Sequence, residues 1–155
     1  MATSTTCFII SPIGADGSEQ RAHADRWLNL IVLPALAVSG FTKDNIFRAD
    51  SWTQPGATIA DDILTWLIEA DLCIADLCDL NPNVMYECGF RQGLGRPLIV
   101  LAPTDQALPF DLAHRRALFY DMSTPESVNA AMNRLVRMIG ALATLSSLDP
   151  EEHHG

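Results

Sequence analysis

Apolar residues along the chain fall into short runs that alternate with longer stretches of helical periodicity. Five of the runs are rich in apolar residues that follow one another without strict alternation, which is typical of strands buried on both faces of a sheet, and the fifth is the weakest. These predicted strands cover residues 6–11, 45–49, 71–77, 96–103 and 117–122. Because helical stretches separate them, the pattern predicts a parallel sheet with helices on both faces.

The first predicted helix starts at a capping-box signal. Asp16 is followed three residues later by Glu19, and apolar residues at helical spacing continue to about Ser39. Pro34 lies inside this helix, where it is expected to remove one backbone hydrogen bond and bend the axis.

Three more helices follow. The second is amphipathic and covers residues 56–70. The third starts at Asn81, a favourable N-cap, with Pro82 at the first helical position. The last starts at residues 124–125 and is expected to end near Ala143.

This succession predicts a flavodoxin-like α/β fold, a three-layer sandwich with a five-stranded parallel sheet of order 2-1-3-4-5. Ligands bind such sheets beyond the carboxyl ends of the strands, where the strand order reverses, which here is between strands 1 and 3. The length of 155 residues suits a single nucleotide-binding domain, residues 1–148, followed by a flexible polar tail, residues 149–155.

The composition indicates in which cellular compartment the protein is expected. Apolar residues make up 48% of the chain, but the longest apolar run covers only residues 28–38, too few to span a bilayer. The first ten residues lack the pattern of a signal peptide. We therefore expect a cytoplasmic protein without membrane contact.

Charge and cysteine content exclude further classes. The net charge is −9, which disfavours nucleic acid as a partner. No pair of the four cysteines has CxxC spacing, and the sequence shows no Cys/His cluster. Neither a metal nor another cofactor is expected.

Glu87 is the only acid in the third predicted helix, which starts beside the crevice. It is either a catalytic carboxylate or a solvated acid paired with Arg91 one turn later. Gly89 and Gly93 predict close backbone packing of this helix.

Asp76 closes the third strand, as a turn former or as a second carboxylate near Glu87. Two such carboxylates can hold different protonation states, which suits cleavage of a glycosidic bond.

The turn after the first strand is a candidate phosphate site. Ser11, Pro12, Ile13 and Gly14 form it, and a helix N-terminus with free N–H groups follows. The sequence is neither a P-loop nor GxGxxG, so the alternative is that the glycine only serves the turn.

Five other residues complete the candidate substrate-binding set. Asn81 and Asn83 are helix-start residues that could also contact a ligand. Asp50 and Trp52 follow the second strand, where they could line a base or ribose, or the Trp could only pack. Arg91 could bind a small anion or form an ion pair.

One segment resembles a known family signature. Residues 70–101, "ADLCIADLCDLNPNVMYECGFRQGLGRPLIVL", resemble the nucleoside 2-deoxyribosyltransferase-like family, which includes nucleoside 5′-phosphate N-glycosidases. The shared pattern is an "AD" strand, a ligand loop and a helix carrying "YE" and a glycine. "FIISPIG" is similar to the family's first strand and nucleotide-binding turn, and the resemblance covers about residues 5–102. The family borders on TIR domains, which also use a helix glutamate to cleave NAD.

The resemblance assigns roles to individual positions. It implies that Glu87 is the catalytic glutamate, which attacks or stabilises the anomeric carbon, and that Asp76 is a second acid of the site. It places Asn81 and Asn83 in the loop that contacts ribose or phosphate.

The function implied is cleavage of an N-glycosidic bond, by hydrolysis or transfer. The substrate would be a small nucleotide-type molecule: a nucleoside, a nucleoside 5′-monophosphate or NAD. The resemblance also implies a homo-oligomer, a dimer or larger. The alternatives are a TIR-like NAD glycohydrolase and a non-catalytic nucleotide-sensing or signalling module, such as one acting in bacterial defence.

Overall fold

The computed structural model describes residues 5–12, 14–49, 59–109 and 117–152. Within these residues, five parallel strands form one sheet of order β2-β1-β3-β4-β5, which confirms the predicted flavodoxin-like α/β architecture. Each strand is shorter than its predicted apolar run. The strands are β1 (Cys7–Ile10), β2 (Ile46–Arg48), β3 (Leu72–Asp76), β4 (Leu98–Pro103) and β5 (Leu118–Tyr120).

Helices follow the strands in the predicted succession. Within the described part of the chain, the α-helices are α1 (Glu19–Trp27), α2 (Leu33–Val38), α3 (Ile59–Glu69), α4 (Pro82–Gly93) and α5 (Pro125–Glu152). A π-helical segment, Leu28–Val32, joins α1 to α2, so the predicted single helix is interrupted just before Pro34. Ser18 caps α1 by accepting a hydrogen bond from the Arg21 amide at 3.1 Å, so the predicted cap at Asp16 is wrong by two residues.

The last helix is longer than predicted. Helix α5 continues to Glu152, well beyond the expected end near Ala143. The flexible tail proposed for residues 149–155 stays a prediction. Across the described part of the chain, no helix combines the length and apolarity that crossing a membrane requires.

Two apolar cores cover the two faces of the sheet, because successive side chains of a strand point to opposite faces. Ile9, Ile74 and Leu101 belong to the core beneath α1, α2 and α5. Ile10 and Ala75 belong to the other core, beneath α3 and α4. This alternation decides which candidate side chains can meet.

Candidate functional site

Glu87 lies on α4, in the middle of a helix whose start is fixed by the sequence. Asn81 caps that start, since its Oδ1 accepts hydrogen bonds from the amides of Asn83 at 3.0 Å and Val84 at 3.3 Å. Val84 and Cys88 anchor the helix on the sheet, and Glu87 between them is half-buried.

The carboxyl group of Glu87 has an unusual environment for a helix acid. Among the described residues, none forms a hydrogen bond or ion pair with it. Burial raises its pKa from 4.5 to about 7, because the charged form loses hydration without gaining a partner. A carboxyl group that is about half ionised near neutral pH is suited to acid–base or nucleophilic chemistry.

Arg91 does not pair with Glu87, and the structure does not bring it to the crevice. Its side chain is fully buried and points to the amino-terminal edge of the sheet. There Nη1 donates to the Leu67 carbonyl at 3.0 Å, while Nε and Nη2 donate to the Pro97 carbonyl at 3.2 and 3.1 Å. The predicted role in binding a small anion is therefore corrected: the guanidinium ties α4 to the end of α3 and the start of β4.

Asp76 and Glu87 are not neighbours either. Asp76 follows Ile74 by two residues, so its side chain lies on the α1 and α5 face, whereas Glu87 lies on the α3 and α4 face. The predicted pair of adjacent carboxylates is thus wrong.

Asp76 is instead the centre of a different polar cluster. Its side chain is completely buried, and its Oδ1 accepts hydrogen bonds from the Tyr120 hydroxyl at 2.8 Å and the Cys78 amide at 3.1 Å. His23 Nε2 lies 2.8 Å from the same hydroxyl and 3.6 Å from Asp76 Oδ2. His23 and Tyr120 were missed in the sequence because they are 97 residues apart. Cys78 stands only two residues after Asp76, but the sequence gives no sign of the histidine and tyrosine that complete the cluster.

The thiol of Cys78 lies against these carboxylates. Burial, and then the negative charges of Asp76 and Asp79, raise its pKa to about 12. The thiol is therefore protonated at neutral pH, which disfavours it as a nucleophile. One ligand atom each from His23, Asp76 and Cys78 lies within 4.8 Å of the others, a grouping that could hold a metal ion.

In the predicted turn after β1, Gly14 has a left-handed backbone conformation. Its φ is 61°, and a Cβ there would lie 2.9 Å from Ser18 Oγ and 3.1 Å from the Arg21 amide nitrogen. Ser11 and Pro12 precede it and are buried, and Ser11 Oγ has no hydrogen-bond partner within the described residues. Ser11 therefore offers an unused polar group at the carboxyl end of β1.

A cleft of about 490 Å³ lies between this turn and the β3–α4 loop. Its lining includes Glu19 and Asp79 but no Lys or Arg among the described residues. Such a surface repels phosphate, so the predicted phosphate site gains no support from charge on this side of the crevice.

The β3–α4 loop is held in a strained conformation. Asp79 and Leu80 have φ values of 57° and 49°, which non-glycine residues rarely adopt. Gln106 holds the loop from β4's side, accepting from the Asp79 amide at 2.6 Å and donating to the Leu77 carbonyl at 2.7 Å. Asn83, in the first turn of α4, is exposed to solvent.

Three predicted site residues, Ile13, Asp50 and Trp52, lie outside the described residues. Their proposed roles in the first turn and beside the base or ribose stay predictions.

Comparison with known proteins identifies solved structures with a similar fold. No protein-family model matches the sequence, and no curated protein matches it in sequence. The structure is similar to a 2-deoxyribosyltransferase from the psychrotolerant bacterium Bacillus psychrosaccharolyticus, with a TM-score of 0.59 and 16% identity over 83% of this chain and 91% of that chain. It is also similar to the TIR domain of a Toll-related receptor from Hydra magnipapillata, with a TM-score of 0.57 and 16% identity over 84% and 97% of the two chains. The two folds named by the sequence resemblance are thus confirmed as structural neighbours, at the level of the fold.

Proposed function

We propose that this protein cleaves the N-glycosidic bond of a nucleotide-type small molecule, with Glu87 as the catalytic carboxylate. The observation that carries the proposal is the state of Glu87: half-buried, without a partner among the described residues, and with a pKa raised to about 7. Structural acids in folded proteins are usually solvated or paired. An unpaired one held at a cost in stability is a candidate for chemistry.

The position of Glu87 supports the same proposal. Its helix starts at the carboxyl end of β3, beside the point where the strand order reverses, which is where parallel α/β sheets bind ligands. The fold is shared with a 2-deoxyribosyltransferase and with a TIR domain, which makes nucleosides, nucleoside 5′-monophosphates and NAD the first substrates to consider.

The proposed mechanism uses Glu87 in its ionised form. Its carboxylate faces C1′ of the sugar and either bonds to that carbon or stabilises the oxocarbenium ion as the base departs. Water, or a second base, then completes hydrolysis or transfer. Asn83, on the same helix as Glu87, offers a polar group for the rest of the substrate. We assign Asp76 no direct part, because it lies on the other face of the sheet.

The test is a substrate panel. The full chain is incubated with NAD, nucleosides and nucleoside monophosphates, and free base is measured by chromatography. Release of base from at least one substrate is expected. Tight binding of a nucleotide without turnover would overturn the proposal in favour of a non-catalytic sensing module.

Self-association is a separate part of the proposal. The sequence resemblance implies a dimer or larger assembly, and light scattering of the purified chain measures this directly. A monomer at micromolar concentration would contradict it.

A further inference from the structure

Three potential metal ligands meet at the carboxyl end of β3. His23 comes from α1, Asp76 from the last position of β3, and Cys78 from the short 3₁₀ turn that follows. Their ligand atoms lie within 4.8 Å of one another, and His23 Nε2 is 3.6 Å from Asp76 Oδ2. Tetrahedral zinc with the usual bond lengths separates two such ligand atoms by roughly 3.3–3.6 Å. The three side chains therefore need only small movements to share one ion.

The carboxylate of Asp76 is half satisfied. Tyr120 and the Cys78 amide bind Oδ1, but Oδ2 is buried and has no hydrogen-bond partner within the described residues. Burying a carboxylate oxygen without a partner is costly. A cation between Oδ2, the imidazole and the thiol would remove that cost.

The charge around the cluster favours a cation over an anion. His23 and Cys78 line the 490 Å³ cleft together with Glu19 and Asp79. No Lys or Arg is among the described residues of that lining, so its charged groups attract a cation. Arg26 lines the neighbouring cleft beside His23 and Tyr120, but so do Asp105 and Asp121.

We propose that His23, Asp76 and Cys78 form a binding site for a divalent zinc-type cation. One nitrogen, one oxygen and one sulfur ligand suit Zn²⁺ or Co²⁺, whereas Mg²⁺ and Ca²⁺ prefer oxygen alone. Three protein ligands would leave a fourth position for water.

Binding balances its protons in a simple way. The Cys78 thiol loses its proton to solvent. The Tyr120 hydroxyl gives its only hydrogen to Asp76 Oδ1, so His23 Nε2 is the donor towards Tyr120. On binding, this imidazole proton moves through solvent to Nδ1 and leaves Nε2 available to the metal. The imidazole turns away from the Tyr120 hydroxyl. That hydroxyl keeps its hydrogen bond to Asp76 Oδ1 and so orients the carboxylate from outside the ligand shell.

The site is independent of the glycosidic chemistry proposed above, because Glu87 lies on the opposite face of the sheet. Loss of metal binding and loss of catalysis are therefore separate results.

Cobalt titration tests the site. Co²⁺ is added to chelator-treated full chain, and the near-ultraviolet absorption of a cobalt–thiolate bond is followed, with Zn²⁺ as competitor. One equivalent per chain is expected to develop the band, and Zn²⁺ to abolish it. Cys78→Ser should remove the band, and His23→Ala should weaken Zn²⁺ binding at least about tenfold. Cys88→Ser, a buried cysteine of the other core, is the matched control and should keep both.

Two further measurements keep the result unambiguous. His153→Ala with His154→Ala removes the adjacent tail histidines and should change neither band nor affinity. Alkylation of the unmodified chain, mapped by peptide mass spectrometry, should be slowed by Zn²⁺ at Cys78, which needs no variant to fold. Absence of the band, equal binding by Cys78→Ser, or unchanged alkylation of Cys78 would overturn the proposal.

Discussion

At the scale of single residues, the structure gives Glu87 and Arg91 opposite roles although they lie four residues apart on one helix. Arg91 is fully buried, yet its guanidinium is satisfied by backbone carbonyls. Glu87 is only partly buried but finds no partner among the described residues. The first arrangement stabilises the fold, and the second costs stability and is expected to serve the reaction.

Glu87→Gln should make the protein more stable at pH 8 and leave its stability at pH 4 unchanged. The folded-state pKa of about 7 lies above the ordinary 4.5, so the folded protein binds more protons between these values and loses stability as pH rises through them. Because solvent still reaches the carboxyl group, we expect about 1–2 kcal/mol. Urea unfolding at both pH values measures the difference. The exposed Glu69→Gln is the control, and an equal effect there would refute the explanation.

Arg91→Met should destabilise the protein by about 2–4 kcal/mol, because the carbonyls of Leu67 and Pro97 lose three hydrogen bonds. Arg96→Met is the matched control, since Arg96 is exposed and makes one such bond, to Ile68, so its cost should stay below about 1 kcal/mol. Denaturant unfolding compares the two variants. If the Arg91→Met protein were stable but no longer bound nucleotide, Arg91 would be a ligand-binding residue and not a structural one.

At the scale of elements, two glycines of the candidate site play different parts. Gly14 has a positive φ and no room for a Cβ beside α1. Gly89, two residues after Glu87, is exposed, and no atom of the described residues lies within 4 Å of a Cβ added at Gly89 or Gly93. The prediction that these two glycines allow close packing of α4 is therefore wrong.

Gly14→Ala should cost about 1–3 kcal/mol, from the strained φ and the contact with Ser18 and the Arg21 amide. Gly89→Ala should raise the free energy of unfolding by as much as about 1 kcal/mol, because alanine favours the helix and its methyl group contacts no described residue. Thermal unfolding of both variants measures whether each unfolding temperature falls, as expected for Gly14→Ala, or rises, as expected for Gly89→Ala. Destabilisation by Gly89→Ala would contradict the open space seen beside α4.

The elements also show what the sequence could predict. Strand runs, the cap at Asn81 and the sheet order were accessible because they depend on local periodicity and connection rules. The face of the sheet on which Asp76 lies could not be predicted. Strand β3 is apolar on both faces, so the pattern fits whichever face the Asp76 side chain takes. The partners of Asp76 and Arg91 come from distant parts of the chain, and no local signal identifies His23 or Gln106.

At the scale of the whole molecule, the parallel sheet separates the two proposed sites. Glu87 lies on one face and has no hydrogen-bond or ion-pair partner among the described residues. The other face holds the cluster of His23, Asp76, Tyr120 and Cys78. The cluster lies at the carboxyl ends of the strands, where parallel α/β sheets bind ligands, and the helix that carries Glu87 starts at the same edge. The net charge of −9 and the acid-lined cleft favour a cation on the second face.

The rate of base release by Glu87→Gln, compared with the unmodified chain and Glu69→Gln, tests the central claim most directly. With the best substrate of the panel, Glu87→Gln should lose at least about 100-fold in kcat/KM while Glu69→Gln loses nothing. The unmodified chain's kcat/KM should rise with pH through about 7, as the carboxylate forms. Unchanged turnover by a folded Glu87→Gln protein would contradict the assignment of Glu87 as the catalytic carboxylate.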